Sequence, residues 1–586
     1  MSSPARRPSR VVGRAFMVSL AVVAVAGLAA AAWIGVRALA AEGELRSAQA
    51  SVSELRQILA TDPAGAADSL EALAQTTSRA RALTSDIIWQ AAESLPWVGP
   101  QLAAVSTVTR SLDNVVQDSL PLVESAGVAN MTRFTPVDGA VDTAALTNLQ
   151  APAIAAASSA QDAARAVDGI DRNALLTPLV APVEEAAGAL EQMSGLTDAF
   201  ARTSQILPAV LGADGPRSYL IMMQNNAEWR SLGGIPGAAM VLKTDAGRME
   251  IVEQVTAGDL TNRAVADIPL DPEVESLFGV RPGRWFQNTT QVPDFAVAGP
   301  LAAGFWERAT GEAVDGVISV DPVVLSYVLG ATGPITLSTG DTLDSGNAVS
   351  FLVNEVYLKY PIAETDAIFA EAAASVFQAL VSGGADPARI LPALVQGIEE
   401  RRVLLWSADP AEQDLLAGTP IAGGLPISDE ETAQFGVYVN EGGGAKIDYY
   451  LALGADAQRC ADGRVNLRVT IHSDAPQDVE DYPAYIHADG NFGVDPRLAR
   501  TISYVYLPAG ATVVSAEPTV GGLGGQRDHG GLRVVTWESD LAPGETATLD
   551  VIVDLPGTQG LDVVTTPTIN TLDIPSVSDF CDLAEY

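Results

Sequence analysis

The longest apolar stretch of the chain lies near its beginning, where residues 15–36 contain no charged side chain. A helix of that length reaches about 33 Å and so matches the roughly 30 Å hydrocarbon core of a bilayer. Residues 1–14 contain four arginines and no acid, and basic residues stay on the cytoplasmic side of a membrane. We therefore predict a single transmembrane helix over 15–36, with residues 1–14 in the cytoplasm and the bulk of the chain extracytoplasmic.

A cleaved signal peptide is the alternative, because Ala38, Leu39 and Ala40 fit the small-x-small pattern of a cleavage site. Signal peptides have an apolar core of about 7–15 residues, which is shorter than this stretch. We therefore favour an uncleaved anchor in the cell membrane. Either interpretation exports the rest of the chain.

Between residues 42 and 211, apolar residues recur at every third or fourth position, in stretches separated by proline and glycine. The spacing is clear over 45–59, 70–91 and 102–115, and it places the apolar side chains on one face of each helix. These faces are narrow and rich in alanine, which favours close packing of antiparallel helices. We predict an α-helical bundle or stalk over 42–211, with a partner-binding coiled coil as the alternative.

The pattern changes after residue 212. Short runs of β type alternate with helical patterns over 213–424, which predicts a layered α/β domain. Over 434–586, alternating apolar and polar runs are separated by turns rich in glycine and proline, which predicts an immunoglobulin-like β-sandwich. The expected fold class is a multidomain α+β protein, and the length of the chain also favours several domains.

The chain carries a formal net charge of −38, although its N-terminus is basic. An exported part this acidic is repelled by nucleic acid and by anionic membrane surfaces, so we predict no nucleic-acid partner. A hydrophobic content of 48% excludes a disordered acidic tail. Lysine occurs only at Lys243, Lys359 and Lys446, which indicates the GC-rich coding typical of an actinobacterium and not a chemical requirement.

Two cysteines, Cys460 and Cys581, lie in the predicted β-sandwich domain. Outside the cytoplasm we expect one disulfide bond between them, which would tie the C-terminal residues to the start of that domain. Two buried thiols without a bond are the alternative.

A candidate site follows the first strongly apolar strand, where amides, a carboxylate and a guanidinium precede the pair Gly233 and Gly234. Such a set suits a phosphate or a sugar, because arginine makes bidentate contacts and glycine lets a ligand approach the backbone. The alternative is a turn in which Glu228 and Arg230 pair with other residues of the protein.

Two further polar segments, 258–263 and 288–294, are candidates to meet the first at one place. Capping of the helix that follows is the simple explanation for Asp294. The residues expected to bind a ligand are Asn225, Glu228, Arg230, Arg263, Asn288 and Asp294.

Standard catalytic signatures are absent from the sequence, which contains no P-loop, no G-x-S-x-G, no H-E-x-x-H and no C-x-x-C. The three histidines lack the spacing of metal ligands, so we predict no metal site built from them.

Four strings together resemble a family of bacterial envelope proteins named domain of unknown function 4012: YLIMMQNNAEWRSLGG, WFQNTTQVPDFAVAG, VDGVISVDPVVLSYVLGATGPITL and WSADPAEQ. The resemblance extends over residues 213–585. It implies an envelope protein with an N-terminal anchor, and it implies no biochemical activity.

The order of these segments is also similar to the LytR-CpsA-Psr family. Its members lie outside the membrane with the same topology and transfer polymers from a polyprenyl-pyrophosphate carrier, using arginines and a metal-binding aspartate. Arg230 matches the arginine of their R-[ST]-D motif, but Leu232 stands where the motif has aspartate. Lys359 and Tyr360 stand where the family has a later pair of arginines. The resemblance therefore implies a divergent or inactive relative, because these charges stabilise phosphoryl transfer.

The leading functional hypothesis is a membrane-anchored envelope protein that binds a glycan or a lipid-linked phosphate, such as a polyprenyl phosphate. A second is a divergent phosphotransferase or hydrolase of polyprenyl-linked polymers. In it Glu228 or Asp259 acts as base or metal ligand, which leaves a divalent cation open as a cofactor. A third is a non-catalytic envelope scaffold. The sequence identifies no protein partner and does not decide whether the chain is an enzyme.

Overall fold

The computed structural model describes residues 10–61, 66–126, 136, 139–263, 267–381, 387–429, 431–487, 490, 492–557 and 560–572. The chain divides into two compact units. One comprises Met1–Phe134 and Ala144–Pro208, and the other comprises Thr135–Thr143 and Ala209–Tyr586.

The first unit is helical, as the apolar spacing predicts. Its helices are α1 Arg10–Thr61, α2 Ala66–Leu83, α3 Ile87–Glu93, α4 Gly99–Ala126, α5 Thr143–Asp168 and α6 Thr177–Val210. Small buried residues such as Ala104, Ala160 and Ala163 lie between α4, α5 and α6 together with Val108 and Leu190. Alanine at these contacts lets the helix axes approach closely.

The helix α1 contains the predicted membrane anchor. Its segment Val25–Ser51 is long and apolar enough to cross a membrane, by length and composition, and only 6% of it is buried within the protein. The side chains of residues 10–24 lie outside the described part of the chain. Ala41 and Ala48, in the second half of this segment, are buried, so the same helix also contributes to the packing of the helical unit.

The second unit begins with a mixed five-stranded sheet. Its strands are β1 Arg217–Arg230, β2 Gly233–Asp245, β3 Arg248–Thr256, β4 Gly316–Val320 and β7 Leu404–Ser407, in the order β3-β2-β1-β4-β7. The strands β1 and β4 are parallel, and the other neighbours are antiparallel. A short hairpin, β5 Ile335–Thr336 with β6 Thr342–Leu343, lies outside this sheet.

Helices pack on both faces of this sheet, with α10 on one side and α11 and α14 on the other. The helices of this stretch are α7 Ala257–Arg263, α8 Pro272–Phe278, α9 Arg281–Arg284, α10 Phe295–Thr310, α11 Pro322–Thr332, α12 Ala348–Ser350, α13 Val356–Lys359, α14 Ile362–Val381, α15 Pro387–Glu399 and α16 Pro410–Leu416. Alternate residues of β1 pack on opposite sides, as the pleat of a strand requires. Leu220 and Met222 contact the α10 side, whereas Ile221 and Met223 contact the side of α11 and α14.

The C-terminal part is rich in β-structure. Its strands are β8 Thr432–Glu441, β9 Leu451–Arg459, β10 Val465–Ser473, β11 Ala499–Tyr506, β12 Thr512–Pro518, β13 Gly522–His529, β14 Leu532–Leu541, β15 Thr546–Asp554, β16 Gly560–Thr565 and β17 Asn570–Thr571. They form two five-stranded sheets, β12-β15-β10-β9-β17 and β13-β14-β11-β8-β16. The mixed α+β class is therefore confirmed, and the immunoglobulin-like topology stays a prediction.

One apolar core joins the α/β part to the β-rich part. It contains Tyr219 and Trp229 of β1 together with Phe435 of β8, Leu467 of β10 and Trp537 of β14, all nearly inaccessible to solvent. The stretches predicted as separate domains, 213–424 and 434–586, thus contribute to the core of one compact unit. Residues far apart in sequence can consequently form a shared polar site where these stretches meet.

Cys460 lies directly after β9 and is disulfide-bonded. Its predicted partner, Cys581, lies outside the described residues, so the pairing stays a prediction.

Replacement of Cys460 by serine should lower the free energy of unfolding by about 2–5 kcal/mol, because a long loop of the unfolded chain is no longer constrained. Chemical denaturation with and without a reducing agent measures this effect. The reductant should destabilise the wild type to the level of Cys460→Ser and leave the variant unchanged. Titration of both thiols in the denatured, non-reduced wild type would contradict the predicted bond.

Candidate functional site

The polar segment expected to follow the first strand is itself part of that strand. β1 continues through Asn225 and Glu228 to Arg230, which lies opposite Gly233 of β2. The pairing register shifts twice over residues 223–229, so the strand bulges there. All side chains of residues 219–230 are buried. The alternative of a turn was therefore wrong about the backbone, which is a strand here, whereas the pairing of Glu228 and Arg230 that it included is present.

Glu228 is held between two cations. Its Oε1 accepts a hydrogen bond from Nη2 of Arg230 at 2.9 Å, and its Oε2 accepts one from Nζ of Lys446 at 3.2 Å. Burial alone would raise the pKa of Glu228, but the charges of Lys446 and Arg230 together lower it. Burial alone would lower the pKa of Lys446, and the charge of Glu228 raises it. Glu228 and Lys446 are consequently charged at neutral pH, and with the Arg230 guanidinium they form a buried ion triad.

The guanidinium of Arg230 is almost fully engaged by the protein. Its Nη1 donates to the carbonyl oxygen of Trp229 at 2.8 Å, and its Nη2 also donates to Oδ1 of Asn288 at 3.4 Å. Its Nε is buried and has no hydrogen-bond partner among the described residues. Only 6% of the side chain is exposed, so Arg230 faces the interior of the protein.

Two further carboxyl groups lie beside this ion triad. Glu441, at the end of β8, accepts hydrogen bonds from the backbone N–H groups of Gly443 and Gly444. Burial and the charge of Glu228 raise its pKa to about 7. Asp448 accepts a hydrogen bond from the backbone N–H of Trp229 at 2.7 Å. Burial, with the charges of Glu441 and Glu228, raises the pKa of Asp448 well above its ordinary range.

Asn225 joins the same network through Tyr357. Its Nδ2 donates to the Tyr357 hydroxyl at 2.7 Å, and the Lys446 ammonium lies 5.4 Å from the centre of the Tyr357 ring. Tyr357 lies two residues after a π-helical turn over Phe351–Glu355. Such turns are common at functional sites, and this one precedes the residue that contacts both Asn225 and Lys446.

The structure brings together Asn225, Glu228, Arg230 and Asn288 from the predicted set. Asp294 instead caps α10, accepting from the N–H of Ala296 at 3.0 Å, as its simple explanation required. The side chain of Arg263 lies outside the described residues.

Asp259, the second candidate for a base, accepts hydrogen bonds from the backbone N–H and the hydroxyl of Thr256. It therefore has a local structural partner at the start of α7. It also lies on the wall of a cavity described below.

The glycine pair leaves no room for a ligand at the backbone. A Cβ atom at Gly234 would lie 2.3 Å from the carbonyl carbon of Asn225. At Gly233, with a φ of +127°, it would lie 2.7 Å from Oε1 of Gln224. Both glycines are thus required by the packing of β1 against β2.

A second buried ion pair lies near the same end of the sheet. Nη1 of Arg402 donates to Oδ2 of Asp321 at 2.8 Å, and Nη2 donates to the carbonyl oxygen of Thr568 at 2.7 Å. The same Asp321 oxygen accepts from Nδ2 of Asn226 at 3.0 Å. This pair therefore ties β1 and α11 to the segment that follows β16.

The sequence prediction missed Glu441, Lys446, Asp448 and Tyr357. A signal was present, because the string NEGGGAKIDYY places two acids and one of only three lysines beside a glycine run. Distance along the chain gave no reason to connect this string with β1. No group of three or more histidine, cysteine, aspartate or glutamate side chains in the described part of the chain is arranged to hold a metal ion.

An apolar cavity of about 220 Å³ lies between the sheet and α14. Met223, Met240, Phe369 and Ala373 contribute to its wall, and Asp259 also borders it. The ring of Phe369 lies 6.5 Å from that of Tyr357, so this cavity adjoins the buried polar network. Its volume is below the roughly 300–1,000 Å³ of most small-molecule sites.

Residues 214–357 match the family described as "Protein of unknown function (DUF4012)". The predicted resemblance to that family is confirmed for this segment, and its extension to residue 585 stays a prediction. A comparison with curated proteins and with solved structures finds no match.

Replacement of Arg230 by alanine should lower the free energy of unfolding by about 3–5 kcal/mol, because it removes one of the two cations that compensate the buried Glu228 carboxylate. The control, Arg533→Ala, removes an exposed arginine paired with Asp528 and should cost less than about 1 kcal/mol. Urea denaturation of both variants measures the difference. Equal stability of the two variants would contradict the buried ion triad.

The pH dependence of stability should reveal Glu441. The pKa of Glu441 is raised from 4.5 to about 7. Between these two pH values the Glu441 carboxyl group is therefore protonated in the folded protein and ionised in the unfolded chain. The contribution of Glu441 to stability is therefore present below pH 4.5 and falls as the pH rises to about 7, by at most about 1.4 kcal/mol per pH unit.

Glu441→Gln should accordingly lose less stability than the wild type between about pH 5 and 7. The control, Glu517→Gln, replaces an exposed glutamate of β12 and should follow the wild-type curve. Denaturation midpoints at several pH values provide the comparison, and parallel curves for all three proteins would refute the assignment.

Proposed function

We propose that this chain, whose residues 214–357 belong to a family of unknown function, is a membrane-anchored extracytoplasmic scaffold of the cell envelope. One observation carries the proposal. The polar residues that most resemble a ligand site, Glu228 and Arg230, are buried and paired with one another, and Glu228 is also paired with Lys446. In this proposal they hold parts of the unit together and do not bind a substrate.

The pairing within the network supports this proposal over phosphate binding. Arg230 and Lys446 are already paired with Glu228. A phosphate would have to displace Glu228 from both cations and leave its carboxylate buried without a partner. The close packing of Gly234 against Asn225 also argues against a ligand at the backbone.

The same observations argue against the enzyme hypothesis. Both carboxylate oxygens of Glu228 accept hydrogen bonds from cations, so this residue is poorly suited to accept a proton from a substrate. If the chain is related to the LytR-CpsA-Psr proteins, it has lost their metal-binding aspartate, because Leu232 stands at that position and is buried. A transferase would then lack charge stabilisation that phosphoryl transfer needs.

The envelope location rests on other features. α1 contains a candidate membrane span. Four arginines precede the apolar stretch and favour a cytoplasmic N-terminus. The rest of the chain, which is strongly acidic, would then lie outside the cytoplasm. We further propose that the two C-terminal sheets form an immunoglobulin-like sandwich that serves as the interaction module of the scaffold.

A second candidate function is binding of a lipid-linked intermediate, such as a polyprenyl phosphate, through its hydrocarbon chain. The apolar cavity beside α14 favours it, since Met223, Met240 and Phe369 offer an oily wall. The cavity is small, so it would hold only part of such a chain.

Thermal unfolding of the full chain in lipid nanodiscs tests the two functions against each other. The ligands are polyprenyl phosphate, polyprenyl pyrophosphate and wall glycan fragments, each with and without magnesium. The scaffold proposal expects an unchanged Tm with every ligand, because no site is open to them. A rise in Tm would contradict it.

Variants then locate the site responsible for any rise. Ala370→Leu fills the cavity, and Ala374→Leu is its matched control on the same helix but outside the cavity wall. A rise lost only in Ala370→Leu would establish the lipid-binding alternative. A rise lost in Asn288→Ala, with the fold retained, would instead restore the predicted polar site.

A further inference from the structure

The connection between α2 and α4 exposes a set of large apolar side chains. Ile87 is 82% exposed and Trp97 is 89% exposed, which is extreme for residues of this size. The exposed apolar residues of this connection are Ile87, Ile88, Leu95, Trp97 and Val98. Within 87–98 the only charged residue is Glu93, and its carboxylate accepts a hydrogen bond from the Ser106 hydroxyl at 2.6 Å.

The short helix α3 is fixed by its opposite face. Trp89 and Ala92 are buried and pack against Leu102 of α4 and against Ile34 and Ala38 of α1. The indole N–H of Trp89 donates to the carbonyl oxygen of Leu102 at 3.2 Å. Ile87 and Ile88 therefore belong to a helix that is packed on its opposite face, and Leu95, Trp97 and Val98 directly follow that helix.

Polar contacts fix the position of α3 along the axis of α1. Nε of Arg37 lies 2.9 Å from the Asp86 carboxylate, which also accepts from the indole N–H of Trp33 at 3.0 Å. Asp86 in turn caps α3 by accepting from the N–H groups of Ile88 and Trp89. The exposed set thus lies beside residues 33–38 of α1, where the predicted span over 15–36 ends.

The backbone around Trp97 keeps this side chain at the surface. Its φ of +67° is unusual for a bulky residue. Its carbonyl oxygen accepts from Nε2 of Gln101 at 3.2 Å, and Oε1 of Gln101 accepts from the N–H of Leu176 at 2.8 Å. Leu176 is itself 63% exposed, so it extends the apolar surface beside Trp97.

We propose that this surface, which we call the foot and define as residues 87–98 with Leu176, lies in the interfacial layer of the bilayer beside α1. The inference rests on the membrane anchoring in the proposed function. Tryptophan is favoured at the boundary between hydrocarbon and headgroups, and an apolar face without exposed charge suits that layer. The foot would hold the helical unit against the membrane at a second place, next to the point where α1 leaves the bilayer.

Phospholipid is the occupant that the surroundings favour. The foot is continuous with a helix whose exposed residues Leu28 and Val36 belong to the span predicted over 15–36. The bilayer surface that surrounds the end of such a span is therefore within reach of α3. Binding through apolar contact does not depend on anionic lipid, which an acidic chain would repel.

Photocrosslinking of the full chain in phosphatidylcholine nanodiscs tests the foot. The photoreactive residue p-benzoylphenylalanine replaces Ile87, Trp97, Leu28 or Leu196 in four separate proteins. Leu28 is the positive control inside the candidate span. Leu196 is a matched exposed control at 69% exposure, about 30 Å along α6 from Leu176 by helix rise. Mass spectrometry then identifies the adducts.

The foot predicts phospholipid adducts at positions 87 and 97 in yields at least about tenfold above position 196, as burial of one large apolar side chain implies. Adducts at 28 but none at 87 or 97 would overturn the foot and leave the anchor intact. Adducts from 87 or 97 to a second copy of the chain would make this surface a self-interface and also overturn it. Absence of adducts at 28 would refute the anchor, and with it both proposals.

Discussion

The second unit depends on the burial of the polar end of β1. A strand that ends in Asn225, Glu228 and Arg230 cannot enter a protein interior unless its charges and amides find partners there. The partners come from distant parts of the chain, namely Asn288, Tyr357 and Lys446. Backbone groups at this end of β1 also find distant partners, because the N–H groups of Trp229 and Ser231 donate to the side chains of Asp448 and Asn440. The α/β part and the β-rich part are joined because polar groups at the end of β1 pair with groups of the β-rich part, such as Lys446 and Asp448.

Burial of these charged groups costs free energy, and this cost explains why the network specifies one geometry. Removing ions from water is expensive, and hydrophobic residues of similar size often serve stability as well or better. A buried network of this kind specifies one geometry, because a displaced carboxylate or cation would be left alone in a low dielectric. Arg402 has the same role near the segment after β16, where it contacts Asp321 and Thr568. We infer that these ions fix the orientation of the two parts of the unit relative to one another.

Much of the fold could be predicted from local patterns. The apolar spacing identified the helical unit, and the alternation of β-type runs with helical patterns identified the mixed α/β part that follows residue 212. Asp294 was correctly recognised as a helix cap because capping depends only on neighbours in sequence. The length of β1 was missed, since a run of polar residues predicts exposure unless the partners that bury it are known.

The site shows the same division between local and distant information. Sequence reasoning found Asn225, Glu228, Arg230 and Asn288, because unusual residues beside glycines are visible in one dimension. It missed Lys446 and Glu441, which reach Glu228 and its surroundings only through folding of the segment after β8. Sequence spacing carries no information about such long-range pairing. For that reason the chemistry of Arg230 was predicted as open to a ligand, whereas the fold engages it internally.

The acidity of the chain and the uncharged foot have a common physical explanation. A net charge of −38 keeps the chain soluble and away from anionic surfaces, so electrostatic attraction cannot hold the helical unit near a membrane. Apolar contact is indifferent to that charge and depends only on area removed from water. Where Arg37 and Trp33 engage Asp86, the charged groups are paired with one another, and large apolar side chains remain exposed beside them. A protein that is repelled by anionic lipid can therefore still rest on a bilayer, provided that its contact surface carries no unpaired charge.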